Sequence, residues 1–257
     1  MKDRLDELNP QQREAVTHIG TPLLVLAGAG SGKTRVITHK IGWLIRECGM
    51  APHHIAAITF TNKAAREMKE RVGRLLSRDE SRGLTVSTFH TLGLNIVRRE
   101  LDLLGYKPGF TIFDSTDSLG LIRELTHKQE ALADQAEHAR WTISRWKNDF
   151  LDPEQALQQA GDDEEQAIAR LYAHYQRMLR AYNAVDFDDL IVLPTRLFQQ
   201  HPEALERWQQ RLHYLLIDEY QDTNLCQYEL VRLLTGVRGA FTAVGDDDQS
   251  IYAWRGA

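Results

Sequence analysis

A stretch near the start of the chain restricts what it can fold into more than any other feature. Leu23-Leu24-Val25-Leu26-Ala27 is an apolar run that reads as a buried strand, the stretch Ala27-Gly28-Ala29-Gly30-Ser31-Gly32-Lys33-Thr34 overlaps its end, and Thr34 to Ile45 has the spacing of a helix. A buried strand that turns through glycines into a helix aims backbone N–H groups and the positive helix end at one point. Glycines permit that curvature, and the point is a natural anion site. The pattern G-x-x-x-x-G-K-[ST] is met at Gly32, Lys33 and Thr34, with Ala27 standing at the first glycine position. It predicts a phosphate loop in which Ala29, Gly30, Ser31 and Gly32 surround the anion. Lys33 would neutralise β- and γ-phosphates, and Thr34 would ligate Mg²⁺.

Such a loop needs an acidic strand end beside it. Tyr214-Leu215-Leu216-Ile217 is an apolar run that ends in Asp218 and Glu219. An Asp-Glu pair alone is a weak signal, but beside a phosphate loop it is a strong one. Asp218 would hold Mg²⁺ through water, and Glu219 would orient and deprotonate an attacking water. Further strands are predicted at His54–Phe60, Leu84–Thr88 and Phe241–Val244, with a helix over Asn62–Leu76. Apolar strands alternating with helices imply an α/β fold whose parallel sheet is covered on both faces.

Residues 92–195 read differently: polar, helix-patterned and poor in strand signals. They are expected to form a helical insertion subdomain, with 1–91 and 196–257 forming the sheet domain. Trp141 and Trp146 within it are read as packing residues. The chain carries 31 Lys+Arg against 36 Asp+Glu, a net −5, which at first argues against a polyanionic partner. Yet residues 1–90 hold 14 Lys+Arg and 9 Asp+Glu, a local excess of +5 that leaves room for a basic face. No apolar run approaches the roughly 20 residues of a membrane span, and the charged first residues are unlike a secretory signal. Cys48 and Cys226 form no CxxC pair, which suits a reducing cytoplasm. The histidines lack metal-ligand spacing, and Asp246-Asp247-Asp248 lacks that of a calcium loop.

Asp218-Glu219-Tyr220-Gln221-Asp222 resembles motif II of superfamily 1 helicases, and a phosphate loop opening on alanine is that group's form. Leu8-Asn9-Pro10-Gln11-Gln12 resembles its Q motif, Thr59-Phe60-Thr61-Asn62-Lys63-Ala64-Ala65 its motif Ia, and Ser87-Thr88-Phe89-His90-Thr91-Leu92 its motif Ib. Asp186-Phe187-Asp188-Asp189-Leu190 matches a further element. Val244 to Gly256, containing Gln249, Tyr252 and Trp254, resembles motif III. Six ordered motifs cover the whole chain, which is similar to the UvrD/PcrA/Rep group and nearest its Rep branch.

The resemblance implies a RecA-like P-loop NTPase domain using ATP and Mg²⁺. Gln12 would read the adenine edge and Arg35 would lie against the base. Gln249 would sense the γ-phosphate, completing a catalytic set with Lys33, Asp218 and Glu219. Phe60, Tyr252 and Trp254 would line a single-stranded DNA groove, with Thr61, Asn62, Lys63, Thr88 and His90 near the DNA backbone; Arg255 is left unassigned. The implied activity is 3′–5′ unwinding at single-strand/duplex junctions, in replication restart or repair and alongside proteins of those processes. The second RecA-like domain, which carries motifs IV to VI, is not among these residues. Two alternatives stand beside this reading: the helicase part of a RecB-type nuclease, and a lone fragment that binds DNA without productive turnover.

Overall fold

The computed structural model describes residues 5–127, 132 and 134–246. Gln249, Tyr252, Trp254 and Arg255 therefore lie outside the described residues. The chain opens with α1 (Pro10–Thr17), β1 (Leu23–Leu26), α2 (Lys33–Arg46), β2 (Ile55–Thr59), α3 (Asn62–Leu75) and β3 (Thr85–Thr88). It continues through α4 (Phe89–Arg99), the short α5 (Leu101–Leu104), β4 (Thr111–Phe113), α6 (Ser115–Thr126), α7 (Ala136–Asn148), α8 (Pro153–Gln159), α9 (Asp163–Ala181) and β5 (Ala184–Asp186). It then returns through α10 (Asp189–Gln200), α11 (Pro202–Arg211), β6 (Tyr214–Ile217), α12 (Leu225–Thr235) and β7 (Phe241–Gly245).

Five strands form one sheet in the order β1-β7-β6-β2-β3, and each neighbouring pair is parallel. Every residue of β2 and β6 is buried, because alternate side chains enter cores on opposite faces. Ala56, Ile58, Leu215 and Ile217 meet α4, α10, α11 and α12 on one face. Ile55, Ala57, Tyr214 and Leu216 meet α2 and α3 on the other. Each fully buried Leu or Ile contributes roughly 1.5–3 kcal/mol, so continuous apolar strands are what a doubly covered parallel sheet requires.

The first strand departs from expectation. The run Leu23–Ala27 reads as a buried strand, but β1 ends at Leu26 and lies at the sheet edge, and Leu24 and Leu26 are 50% and 54% exposed. A short apolar run does not distinguish a central strand from an edge one.

The insertion has a core of its own: Ile122 from α6, Ile143 and Trp146 from α7, and Leu171, Tyr172 and Tyr175 from α9. It also contains a two-stranded parallel ladder, β4 on β5, in which Phe113 stands opposite Asp186. The flanking helices pack with the main sheet instead, Leu92 and Ile96 from α4 beside Ile191 and Leu197 from α10. They cross closely at Gly93, where a Cβ would lie 1.8 Å from the carbonyl oxygen of Leu190. Of the tryptophan pair, Trp146 is buried, but Trp141 is 44% exposed and so departs from the packing role expected of it. Five residues apart on a helix, the two point about 140° from each other, so one faces the core and the other solvent.

Candidate nucleotide and nucleic-acid site

Parallel strands deliver their C-terminal ends to one edge of the sheet, and open α/β sheets bind ligands there. The end of β1 runs into the glycine-rich loop, those of β6 and β7 into Asp218 and Asp246, and those of β2 and β3 into Phe60 and Phe89. The ladder carries on past the strands, with Ala27 N–H donating to Gly245 and Asp218 N–H donating to Ile58. The groups predicted for phosphate chemistry therefore share one rim.

At the loop, Gly32 adopts φ 88° and leads into α2 without a side-chain cap, leaving the first-turn N–H groups to face a ligand. Lys33 Nζ donates to the carbonyls of Ala27 (2.7 Å) and Gly28 (3.2 Å) and lies 3.3 Å from Asp246 Oδ2. Its ammonium thus already occupies the hollow of the loop. Gln12 closes a capping box with Asn9 at the head of α1. Its Nε2 also donates to the carbonyl of Ser31 at 2.8 Å, bracing the loop from outside. Arg35 reaches Glu7 at 3.1 Å on the exposed side.

Thr34 Oγ1 donates to Asp218 Oδ2 at 3.3 Å, joining the loop to the acidic strand end. Asp218 is buried, and that burial, reinforced by the Glu219 charge, pushes its carboxyl up to about 6. Glu219 sits in the left-handed region at φ 55°. Gln221 Nε2 donates to Glu219 Oε2 at 2.6 Å, and Gln221 Oε1 accepts from the Asp246 N–H at 3.0 Å. Thr34 and Asp218 are oxygen donors of the kind Mg²⁺ uses, one carboxylate and one hydroxyl completed by phosphate oxygens and water.

A cavity of about 590 Å³ opens between the ends of β2 and β3 and helix α7. Phe60 and His90 line its sheet side, Arg140, Trp141 and Arg145 its insertion side, and Phe187 the joint between them. Phe60 leans on Phe89 with centroids 5.4 Å apart, and His90 meets Phe187 at 5.1 Å. Thr61 caps α3 by accepting from the Ala64 N–H, and Asn62 and Lys63 are exposed beside it. Thr88 is buried and caps α4 through the Thr91 N–H, so its hydroxyl already has a structural partner. Sequence reasoning gave no site role to Phe187, Arg140 or Arg145, and read Trp141 as a packing residue. A signal for Phe187 was present, since an aromatic set among the carboxylates of Asp186, Asp188 and Asp189 is not a core pattern.

Residues 8–257 match the model of the UvrD/REP helicase N-terminal domain. The chain belongs to this family. It is 58% identical to the ATP-dependent DNA helicase Rep of Escherichia coli over 254 residues, covering 97% of this chain and 37% of that protein. It is 48% identical to Rep of Buchnera aphidicola subsp. Baizongia pistaciae, and 45% identical to the ATP-dependent DNA helicase PcrA of Staphylococcus aureus, of which it covers 35%. The chain thus spans little more than a third of the curated relatives it matches.

Proposed function

We propose that these residues form the nucleotide-binding first motor domain of an ATP-dependent 3′–5′ DNA helicase, and that they hold ATP, Mg²⁺ and a length of single-stranded DNA. One observation carries the reading: the Lys33–Thr34 loop, the Asp218–Glu219 strand end and the aromatic cavity meet along one edge of one sheet. In this proposal residues 1–91 and 196–257 form the RecA-like motor core, and 92–195 the insertion that walls the groove. Gln12 and Arg35 face the adenine. Gln249, Tyr252 and Trp254 lie outside the described residues; in this proposal Gln249 would sense the γ-phosphate, and Tyr252 and Trp254 would stack on bases as Phe60 does. Thr61, Asn62 and Lys63 meet the backbone. The complete protein would act at single-strand/duplex junctions in replication restart or repair, in the cytoplasm.

The chemistry follows from the geometry. The Thr34 hydroxyl, and the Asp218 carboxylate through water, would hold Mg²⁺, which when bound would supply charge neutralisation at the phosphates. Glu219 takes a proton from the attacking water as that oxygen bonds to the γ-phosphorus. The bond to the bridging oxygen breaks, and its electrons leave with ADP. Lys33 gives up its contact with Asp246 and turns its charge to the phosphates. Exposed aromatic faces receive bases of any sequence, each stacked base contributing about 1–3 kcal/mol. The test is Lys33→Ala in a titration with a fluorescent ATP analogue. Affinity should fall about tenfold or more, the loss of a charge-assisted contact, with the circular dichroism spectrum unchanged. Unaltered affinity would overturn the assignment of the loop.

A further inference from the structure

Lys147 is a buried cation that the nucleotide site does not use. It lies near the end of α7, is fully enclosed, and places Nζ 2.6 Å from Asp186 Oδ2 and 2.8 Å from Asp189 Oδ1. The two carboxylates belong to one turn, which also closes on itself. The Asp189 N–H donates to Asp186 Oδ1 at 2.9 Å, and the Asp186 N–H donates to Asp189 Oδ2 at 3.3 Å. From α9, the Tyr175 hydroxyl donates to Asp186 Oδ2 at 3.0 Å, and Gln176 Nε2 reaches Asp189 Oδ1 at 3.4 Å. The neighbouring Asn148 accepts from Asn224 Nδ2 at 2.7 Å, so the end of α7 is also tied to the start of α12.

Within this closed turn one side chain is free to point outward. Phe187 lies between the two anchored aspartates and is 52% exposed, beside His90 at the cavity. A buried ion triad is a poor way to gain stability, because desolvation offsets the Coulombic attraction and apolar replacements often do as well. It does fix geometry: one ammonium meeting two carboxylates of one turn sets that turn's distance and rotation, which an apolar contact would leave loose.

We propose that Lys147 is a positioning residue for single-stranded DNA. Its ammonium clamps the Asp186–Asp189 turn to α7, so that Phe187 is held beside His90 ready to stack on a base. This rests on the reading of the cavity as a DNA groove. Lys147 touches neither the nucleic acid nor the nucleotide; it acts through Phe187.

Removing Lys147 alone leaves two buried carboxylates uncompensated, so the decisive variant neutralises the whole triad: Lys147→Met with Asp186→Asn and Asp189→Asn. It is compared with the unaltered chain, with Phe187→Ala, and with the combination of all four changes. The measurements are anisotropy titrations with fluorescein-labelled oligo-dT, affinity for a fluorescent ATP analogue, and thermal unfolding. The neutral triad should lower oligo-dT affinity about tenfold, within the range for one lost stacking contact, and leave the ATP analogue affinity unchanged. Adding it to Phe187→Ala should cost nothing further, because a clamp that acts through Phe187 has nothing left to aim. Three outcomes overturn the proposal: undiminished DNA affinity in the triad variant, an equal further loss in the Phe187→Ala background, or a triad variant that does not fold. If Phe187→Ala alone binds oligo-dT like the unaltered chain, the groove reading fails at this residue, and the clamp proposal fails with it for that separate reason.

Discussion

At the residue scale, the acidic strand end shows how the carboxylate proposed as the base is held. Glu219 occupies left-handed backbone space, which costs a non-glycine residue of order 1–3 kcal/mol and persists only where neighbours impose it. Gln221 is such a neighbour, spanning from the Glu219 carboxylate to the Asp246 N–H. Gly245 makes room for it: a Cβ there would come within 2.8 Å of Gln221 Oε1 and 3.3 Å of its backbone nitrogen. Gly245→Ala should therefore displace the Gln221 amide while leaving the strand in place. In the complete helicase we expect turnover to fall about tenfold or more, in the range of a lost general-base contribution, with ATP affinity changed less than about threefold. Equal losses in turnover and affinity would show that the substitution disturbs the loop rather than the base. That Lys33, Thr34, Asp218 and Glu219 stand at strand ends of one rim was legible in the sequence, because each pair follows an apolar run closely. Gln221's bridging role was not, because its partner Asp246 lies 25 residues away and no local pattern encodes that contact.

At the element scale, four strands of the main sheet were legible as largely apolar runs between helices and β3 as a short Thr- and Val-bearing stretch between helices, and their parallel pairing followed from that alternation. The ladder of β4 on β5 was not: strands of three residues are too short to display a period. Trp141 was misread because its helix is amphipathic about a core that the sequence does not locate. The joint of α1 and α2 shows a further cost hidden from sequence. Lys40 is buried within α2 and donates to the carbonyls of Ala15 (2.8 Å) and His18 (2.5 Å) at the end of α1. Burial lowers its pKa from 10.5 to about 8, against a smaller upward pull from Cys48. The folded pKa lies below the unfolded one, so between about pH 8 and 10.5 the unfolded chain binds more protons. This group therefore makes stability rise with pH across that window, by at most about 1.4 kcal/mol per pH unit. Urea unfolding of the native chain and of Lys40→Met at a series of pH values should show that component in the native chain alone. Parallel pH profiles would mean that Lys40 stays charged in the fold.

At the scale of the whole molecule, the rim is one wall of a site. The glycine-rich loop, Thr34 with Asp218, and Glu219, proposed as metal ligands and base, all lie at one edge of a single sheet, and phosphoryl transfer depends on positioning and on charge brought to the transition state. An arginine supplied from an opposing surface is worth on the order of 10³–10⁵ in rate. Among the described residues near the loop, Arg35 is paired with Glu7 on the exposed side, so none of the interactions seen at the rim supplies that charge. As a DNA groove, the cavity between the sheet rim and α7 should bind without sequence preference and lose affinity steeply as salt displaces the phosphate contacts. A polypeptide of these 257 residues should therefore bind ATP and oligo-dT yet hydrolyse ATP slowly, with little stimulation by DNA and no strand displacement. Adding the remaining part of a Rep-type helicase as a separate polypeptide should raise phosphate release if the two dock, because docking would bring the missing charge and exclude water together. A phosphate-release assay with and without oligo-dT, alongside a forked-duplex unwinding assay, measures both. Processive unwinding by the 257 residues alone would contradict the argument at its root, since translocation would then need no second surface to close upon the nucleotide.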